Sequence, residues 1–465
     1  MPSLSLIPLD DRPCCLDFVE RLAGLAGVKV KTPPRPLLGS FTRPGQPEAL
    51  LDWLEGQTDR RVLASLDMVC WGGLVASRQP DHALATALAR LERFHAITAG
   101  RHVYAFNAIL RTAPTQTTPE EVTEAEKLVD LSELAARLHK GDDSVRSEFE
   151  RIQAAIRPKR LAAYHRTRQR NHQLNARAIE LSADWKALLI GVDDSRTEGW
   201  NLLELDQLKA GADGRPVWFA PGTDEMAHLL LVRALGVSLS LQPVWSHPGL
   251  AERVTRYEDR PLGALLEAQA AAAGLKLGPS LRKLFVFGPT GHQREAATQS
   301  HGSGARAERF AREIGLAIEE GALVAVADVS YANGADRGLV RCLRTHGLLS
   351  RLAGFAAWNT AGNTVGTALA SLALFDVRRR DQARRFVLER LGDDFLYQSV
   401  VRNRLKARLG PGLKLEPAVL SQAQQLLDQE MSEPFARLTR DVGLDDTRAR
   451  FELPWGRLFE VRVTT

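Results

Sequence analysis

The stretch WKALLIGVDDSRTEGWN (185–201) contains the pattern that decides the fold of this protein. It begins with a short apolar run and continues into two aspartates and a segment of turn-forming residues. Short apolar runs that end in this way are typical of buried parallel strands. Four further stretches have the same layout: LSLIPLDDRP (4–13), RVLASLDMVCWGGLVASR (61–78), ALVAVADVSYANGAD (322–336) and LAGFAAWNTAGNTVG (352–366).

Helical patterns separate most of these predicted strands. Apolar residues recur with the spacing of one helix face at 17–27, 82–94 and 226–236. This alternation of strands and helices predicts an α/β fold with a mostly parallel sheet. The roughly ten strand-like runs are compatible with a (β/α)8-like barrel with additions, or with two open sheets that face each other across a cleft.

Two helix-rich regions are predicted in addition to the α/β core. The capping sequence TPEE (118–121) starts a long helical segment, and the final stretch RFELPWGRLFEVRVTT (450–465) alternates like a strand. The predicted regions are the first half of the α/β core (1–118), a helical insertion (119–183), the second half of the core (184–375) and a helical C-terminal region with a terminal strand or hairpin (376–465).

The composition is that of a soluble globular protein and limits the partners. A net charge of +5 over 465 residues is too dilute to indicate nucleic-acid binding. Cys14, Cys15, Cys70 and Cys342 show neither zinc-site nor disulfide spacing, which favours a reducing cytoplasm. No secretory signal and no membrane-spanning apolar run is visible, so we expect a cytoplasmic protein without a membrane partner. The oligomeric state stays open.

Several motifs for cofactors and catalysis are absent from the sequence. It has no phosphate-binding GxxxxGK[ST], no strand followed by GxGxxG, no GxSxG and no HExxH. We therefore expect neither a nucleotide-dependent enzyme nor a serine hydrolase of the α/β type, and no cofactor.

Polar side chains follow several predicted strands at the points where these strands end. Because the carboxyl ends of parallel strands gather in one crevice, we expect these side chains to form one site. Asp193 and Asp194 are predicted to be the catalytic acid and base, supported by Asp10 and Asp11. The residues predicted to bind substrate are Arg12, Asp67, Trp71, Arg78, Asn107, Asn201, Asp224, Glu225, Asp328, Asn333, Asp336, Trp358, Asn359 and Asn363.

A purely structural role is an alternative for many of these residues. Asp11 before Pro13, and the sequence TDE (223–225), are good helix starts. The acidic residues after position 193 also suit the positive end of a helix dipole, and Trp71 can be a core residue beside a glycine turn. For WNTAGNT (358–364), a helix cap explains one residue but not the set.

Ordered motifs along most of the chain resemble those of a known family. They are IPLDDRP (7–13), SLD (65–67) with GGL (72–74) and SR (77–78), YAFN (104–107) with RT (111–112), RN (170–171) with Asn175, DD (193–194) with Gly199, Asn201 and Glu204, DE (224–225), AD (327–328), YANGAD (331–336) and WNTAGNT (358–364). Together they resemble the bacterial domain of unknown function 4127, over residues 1–400. The resemblance implies a bacterial, cytoplasmic protein but no activity.

Carboxylates at several strand ends, with Trp and Asn side chains nearby, are the usual parts of a glycoside hydrolase. We therefore expect a carbohydrate-active hydrolase with a small-molecule carbohydrate substrate. Two alternatives stay open. The same aspartates could hold Mg²⁺ or Mn²⁺ in a metal-dependent hydrolase, lyase or isomerase. The site could also bind sugar without turnover.

Overall fold

The computed structural model describes residues 2–116, 118–299, 303–410 and 414–465. The strands in these residues are β1 (Ser3–Ile7), β2 (Lys29–Lys31), β3 (Arg61–Ser65), β4 (His102–Ile109), β5 (Ala187–Val192), β6 (Val217–Pro221), β7 (Ser240–Trp245), β8 (Lys276–Leu277), β9 (Arg282–Phe287), β10 (Arg294–Glu295), β11 (Leu323–Asp328), β12 (Tyr331–Ala332), β13 (Gly354–Ala356), β14 (Arg450–Glu452) and β15 (Arg462–Thr464).

The α-helices in the same residues are α1 (Asp17–Leu25), α2 (Pro47–Glu55), α3 (Leu66–Trp71), α4 (Leu74–Ser77), α5 (Leu84–Ile97), α6 (Pro119–His139), α7 (Arg146–Ala154), α8 (Pro158–Leu181), α9 (Trp200–Ala210), α10 (Met226–Ala234), α11 (Leu262–Ala273), α12 (Gly304–Glu319), α13 (Arg337–Thr345), α14 (Ala361–Leu374), α15 (Arg380–Arg390), α16 (Arg402–Leu409) and α17 (Pro417–Val442). A π-helical segment, Leu391–Val401, joins α15 to α16. None of the described helices is long and apolar enough to cross a membrane.

The first sheet has the strand order β2-β1-β3-β4-β5-β6, and all of its pairs are parallel. The direction of strand addition reverses between β1 and β3. In open parallel sheets, such a reversal leaves a crevice at the carboxyl ends of the strands, where ligands bind.

The second sheet repeats this arrangement with the order β8-β7-β9-β11-β13, again all parallel. Its reversal lies between β7 and β9, so the two sheets share one topology, to which the first adds β6. The predicted parallel α/β fold is confirmed. Of the two predicted architectures, open sheets form, and neither sheet closes into a barrel in the described part of the chain.

Both faces of each sheet are covered by helices, which is why the strands read as continuous apolar runs. All six residues of β5 are buried. Between the sheets, α10 packs on β3, β4 and β5, and α14 packs on β9, β11 and β13. Because α10 and α14 also contact each other, the sheets share one hydrophobic core.

The helices α6 and α7 form a small core of their own with Leu128, Leu131, Ile152 and Ile156, and α8 packs on β4 and β5 of the first sheet. The Tyr164 hydroxyl on α8 anchors this unit by donating to the Thr112 carbonyl oxygen at 2.6 Å. At the other end of the chain, α15 to α17 join the core of the second sheet, and β14 pairs antiparallel with β15.

Candidate active site

A cavity of about 240 Å³ lies at the carboxyl ends of the strands of both sheets. From the first sheet, Arg12 follows β1, Asp193 and Asp194 follow β5, and Asp224 follows β6. From the second sheet, Asn359 follows β13. The two halves of the protein therefore contribute to one site, as the positions of these residues after their strands predict.

Arg12 connects the end of β1 to the end of β6 through two ion pairs. Its Nη2 atom lies 2.7 Å from Asp10 Oδ2 and 2.7 Å from Asp224 Oδ1. All three side chains are almost fully buried, so the network is protected from solvent screening. Arg12 and Asp224 line the cavity. Asp10 lies on the side of Arg12 that faces away from the cavity and positions its guanidinium.

Asp193 is held in its ionised form. Burial alone would raise the pKa of Asp193, but the charges of Arg78 and Arg111 outweigh burial and lower it. Arg78 Nη2 donates to Asp193 Oδ2, and the Asp194 amide donates to Asp193 Oδ1 at 3.0 Å. Both carboxylate oxygens are thus engaged, and only 6% of the side chain is exposed.

Asp194 has the opposite environment. A third of its side chain (33%) is exposed, and it forms an ion pair with Arg111, whose Nη1 atom lies 3.2 Å from Asp194 Oδ2. Desolvation by the surrounding protein, followed by the negative charge of Asp193, raises the pKa of Asp194 to about 6. Asp194 is therefore the accessible carboxyl group of the pair and the one that changes its protonation state near neutral pH.

Positive charge exceeds negative charge along the cavity wall. The charged residues that line it are Arg12, Arg78, Arg111, Arg457, Asp193, Asp194 and Asp224. In the described part of the chain, the buried Nε atoms of Arg78 and Arg457 have no hydrogen-bond partner. Unpaired buried donors are costly, and the excess of positive charge favours an anionic group in the cavity.

The C-terminal segment forms one wall of the cavity through Trp455, Arg457 and Phe459. Trp455 has a left-handed backbone (φ 58°), and its indole Nε1 donates to Asp11 Oδ1. The Arg457 guanidinium lies 4.6 Å from the centre of the Trp455 ring. Neither residue was predicted as part of the site, because the alternating pattern of 450–465 contains no strand-end signal.

Asn359 and Asn363 reach the cavity from the second half of the chain. Asn359 Nδ2 donates to Asn363 Oδ1 at 2.7 Å, and Asn363 Nδ2 donates to Glu225 Oε2 at 2.5 Å. Asn363 also completes a capping box with Thr360 at the start of α14. Glu225, predicted to bind substrate, is fully buried behind this pair, and burial raises its pKa well above the ordinary value.

Gly222 makes room for Glu225, which leads to a stability prediction. A Cβ atom at Gly222, where φ is +92°, would lie 1.9 Å from Glu225 Oε1, whereas Gly214 (φ +72°) has open space around it. Gly214→Ala should cost about 1–2 kcal/mol of unfolding free energy from backbone strain alone. Gly222→Ala should cost about 1–3 kcal/mol more, because it also overpacks a buried site. Urea denaturation of both variants measures the difference, and equal losses would contradict the contact.

Three residues of the first half of the chain that were predicted to bind substrate lie in the protein interior and do not line the cavity. Asp67 is fully buried, its Oδ2 atom accepts from the Ala108 amide at 3.0 Å, and burial raises its pKa to about 7. Trp71 is only 1% exposed and belongs to the hydrophobic core. Asn107 Nδ2 donates to Asn175 Oδ1 at 2.7 Å. These side chains stabilise the ends of β3 and β4.

The corresponding aspartates of the second sheet also bind backbone amides. Asp328 accepts from the amides of Ser330 at 3.1 Å and Asp336 at 2.6 Å. Asp336 caps α13 by accepting from the Gly338 and Leu339 amides in its first turn. Trp358 is buried, and its Nε1 atom donates to Thr367 Oγ1 at 3.1 Å.

The remaining residues that were predicted to bind substrate support loops that border the cavity. Asn201 on α9 donates to Ser195 Oγ at 2.8 Å, close behind Asp194. The backbone amide of Asn333 donates to the backbone carbonyl oxygen of Asn359 at 2.8 Å, which fixes the loop that carries Asn359. These residues, like Asp11, act on the cavity through a neighbouring residue.

In the described residues, one group of side chains is close enough to hold a metal ion: Cys14, Cys15 and Asp224, whose ligand atoms all lie within 4.8 Å of one another. Burial raises the pKa of the Cys14 thiol to about 11, so the thiolate form that binds metals is disfavoured. Arg12 donates to Asp224 and lies 3.7 Å from Cys15 Sγ. A guanidinium in this position opposes a cation.

The fold and the cavity define an α/β protein of two parallel sheets with the same topology and a cavity at the carboxyl ends of their strands. The chain belongs to the DUF4127 family of proteins of unknown function, whose family model matches residues 4–464. This confirms the resemblance and extends it to the C-terminal segment that supplies Trp455 and Arg457. No curated protein matches the chain.

Proposed function

We propose that this protein is a carbohydrate-active hydrolase for a small sugar that bears an acid group, with Asp194 as its acid–base residue. The contrast between Asp193 and Asp194 carries the proposal. Asp193 is enclosed and ionised, whereas Asp194 is accessible and has its pKa raised to about 6. Neighbouring carboxyl groups whose pKa values are pushed apart can supply one acid and one carboxylate at the same pH.

Hydrolysis of a glycosidic bond uses both forms. Protonated Asp194 donates its proton to the oxygen that links the sugar to its leaving group, and the carbon–oxygen bond breaks. Ionised Asp193 favours the positive charge that develops on the sugar ring. The Asp194 carboxylate then accepts a proton from the water molecule that adds to the sugar carbon, which restores the acid.

The remaining wall residues suit a sugar acid. The excess of guanidinium groups favours a carboxylate on the substrate. Asn359 offers its side-chain oxygen to sugar hydroxyls, and the exposed ring of Tyr257 offers a face against which a sugar ring can pack.

The same contacts weigh against the two alternatives. Asp193, Asp194 and Asp224 each accept from an arginine, which makes their oxygens poorer ligands for Mg²⁺ or Mn²⁺ than free carboxylates. A non-catalytic sugar-binding site has no need for an accessible carboxyl group with a raised pKa, such as Asp194. The four cysteines are free and buried, which supports a cytoplasmic location as part of the proposal.

A screen of 4-nitrophenyl glycosides tests the proposed function. Glycosides of uronic acids should be cleaved faster than those of the matching neutral sugars, and EDTA should leave the rate unchanged. Turnover that is lost with EDTA and restored by Mg²⁺ or Mn²⁺ would support the metal-dependent alternative. Stabilisation by sugar acids without any turnover would support the binding module.

The pH profile for the methyl glycoside of the preferred sugar acid, whose leaving group needs a proton, is a separate prediction. Because Asp194 acts as an acid, kcat/KM should fall as the pH rises above about 6, its raised pKa. Arg111 lowers the pKa of Asp194, so Arg111→Gln should move this fall in kcat/KM to higher pH. Arg146→Gln on the exposed face of α7 is the matched control and should leave the pH of the fall unchanged. If Arg111→Gln also leaves it unchanged, the fall reports the titration of another group.

A further inference from the structure

A second cavity, of about 390 Å³, lies between the helical insertion and the end of β4. Its volume is within the range of about 300–1,000 Å³ typical of small-molecule sites. Two of its polar side chains are already engaged with the backbone: Tyr164 binds the Thr112 carbonyl oxygen, and Arg168 binds the Leu110 carbonyl oxygen at 2.9 Å. Its apolar wall is formed by Val75, Leu110, Ala113, Pro114, Leu128 and Ala163.

This second cavity adjoins the first. Val75, Arg78, Arg111 and Thr115 line both. Arg111 is also the ion-pair partner of Asp194, at 3.2 Å, so the junction of the two cavities lies beside the proposed acid. A ligand with its reacting bond at Asp194 can therefore extend from the polar cavity into the apolar one.

We propose that the second cavity, the aglycone chamber, holds an apolar leaving group of the substrate. The inference rests on the proposed function and narrows the substrate class to glycosides of a sugar acid with an aliphatic or aromatic alcohol. Aliphatic walls gain free energy by removing such a group from water. Most of the exposed wall is apolar, so a second sugar in the same place would bury part of its hydroxyl groups against apolar atoms, which is unfavourable.

Binding of n-alkyl carboxylates, from acetate to octanoate, tests the chamber without any need for turnover. The acid group is expected to bind at Arg78 and Arg111, with the chain in the chamber. Each added methylene should then tighten binding about three- to fourfold until the chamber is full. Isothermal titration calorimetry measures the series, and equal affinities for acetate and octanoate, or no binding of either, would overturn the inference.

Two variants of α8 show where the chain binds. Ala163 lines the chamber, so Ala163→Phe should fill it and remove the dependence on chain length while acetate still binds. Ala162 is exposed on the same helix, and Ala162→Phe should behave like the wild type. A dependence on chain length that survives in Ala163→Phe would place the alkyl chain elsewhere and overturn the proposal.

Turnover separates this inference from the proposed function. Octyl glycosides of the preferred sugar acid should be cleaved with a lower KM than methyl glycosides, and Ala163→Phe should abolish the difference. Chain-length-dependent binding with no cleavage of any glycoside would contradict the hydrolase proposal and leave an apolar binding site. Cleavage with equal KM for methyl and octyl glycosides would contradict the chamber and leave the hydrolase.

Discussion

Asp194→Asn is expected to lower kcat on an unactivated glycoside by about 10²- to 10⁴-fold, the usual contribution of a positioned acid or base. Asparagine has nearly the same shape as aspartate, and its side-chain oxygen can still accept from Arg111, which lies 3.2 Å away. Affinity for the substrate should therefore change little, and the loss should appear in kcat. The measurement is steady-state kinetics on methyl and phenyl glycosides of the preferred sugar acid.

The leaving group provides an internal check on the role of Asp194. A 4-nitrophenolate departs without a proton, so the loss in bond cleavage for Asp194→Asn should be much smaller on the 4-nitrophenyl glycoside than on the methyl glycoside. Asp206→Asn on α9, where 73% of the side chain is exposed, is the control and should keep full activity. An equal loss on both substrates, or an unimpaired Asp194→Asn enzyme, would rule out proton donation by this residue.

The alternation of strands and helices is a local property, and the sequence was sufficient to predict it. The buried run of β5 and the aspartates that follow it are encoded within a few residues. The choice between a barrel and open sheets is not local. It depends on which strands pair, and it is settled by the reversals between β1 and β3 and between β7 and β9. β8, the edge strand of the second sheet, has only two residues and leaves no recognisable signal.

The site was predicted where residues directly follow a strand and turn towards the cavity, as Asp193, Asp194 and Asn359 do. The same strand-end position was misleading as evidence of ligand contact where the side chain turns back to the backbone. Asp67 and Asp328 are both fully buried and accept from nearby amides. Contact with the cavity separates these two groups of aspartates, and this contact is decided by packing between distant segments.

Trp455, Arg457 and Tyr257 show a second limit of local patterns. The first two lie at the end of the chain, and they reach the cavity because the C-terminal segment is bound to its beginning. Arg462 makes part of that connection by donating to Asp17 Oδ2 at 2.8 Å. Contacts across such a separation in sequence follow from the tertiary fold and have no signature near the residues themselves.

A large loss of stability is expected from Arg390→Met, because Arg390 neutralises two buried carboxylates near the π-helical segment. Its Nη1 atom lies 2.8 Å from Asp394 Oδ1 and 3.4 Å from Asp393 Oδ2, and only 1% of the side chain is exposed. Removing one partner of a buried ion pair costs about 3–5 kcal/mol. Arg378→Met is the control, because Arg378 pairs with Asp376 while 85% of its side chain is exposed. Such surface pairs contribute about 0–1 kcal/mol.

The loss in Arg390→Met should also depend on pH. Burial raises the pKa of Asp394 to about 7, and Arg390 lowers it, so removing Arg390 should raise it further. A carboxyl group with a folded-state pKa above its unfolded value favours the folded state at low pH, and this contribution is lost as the pH rises through the folded-state pKa. Urea denaturation should therefore show a smaller deficit at pH 5.5 than at pH 8.5.

Adding Asp394→Asn to Arg390→Met should recover part of the stability at pH 8.5, because it removes the buried charge that Arg390 neutralised. A deficit that is independent of pH, and that Asp394→Asn deepens, would show that Arg390 acts through packing on the Phe18 ring, which lies 3.6 Å from its guanidinium carbon. The outcome also concerns the active site. Asp394 accepts from the Ala357 amide at 2.7 Å, at the end of the strand that positions Asn359. If the ion pair fixes this strand end, Arg390→Met should weaken sugar-acid binding at temperatures where the variant is still folded.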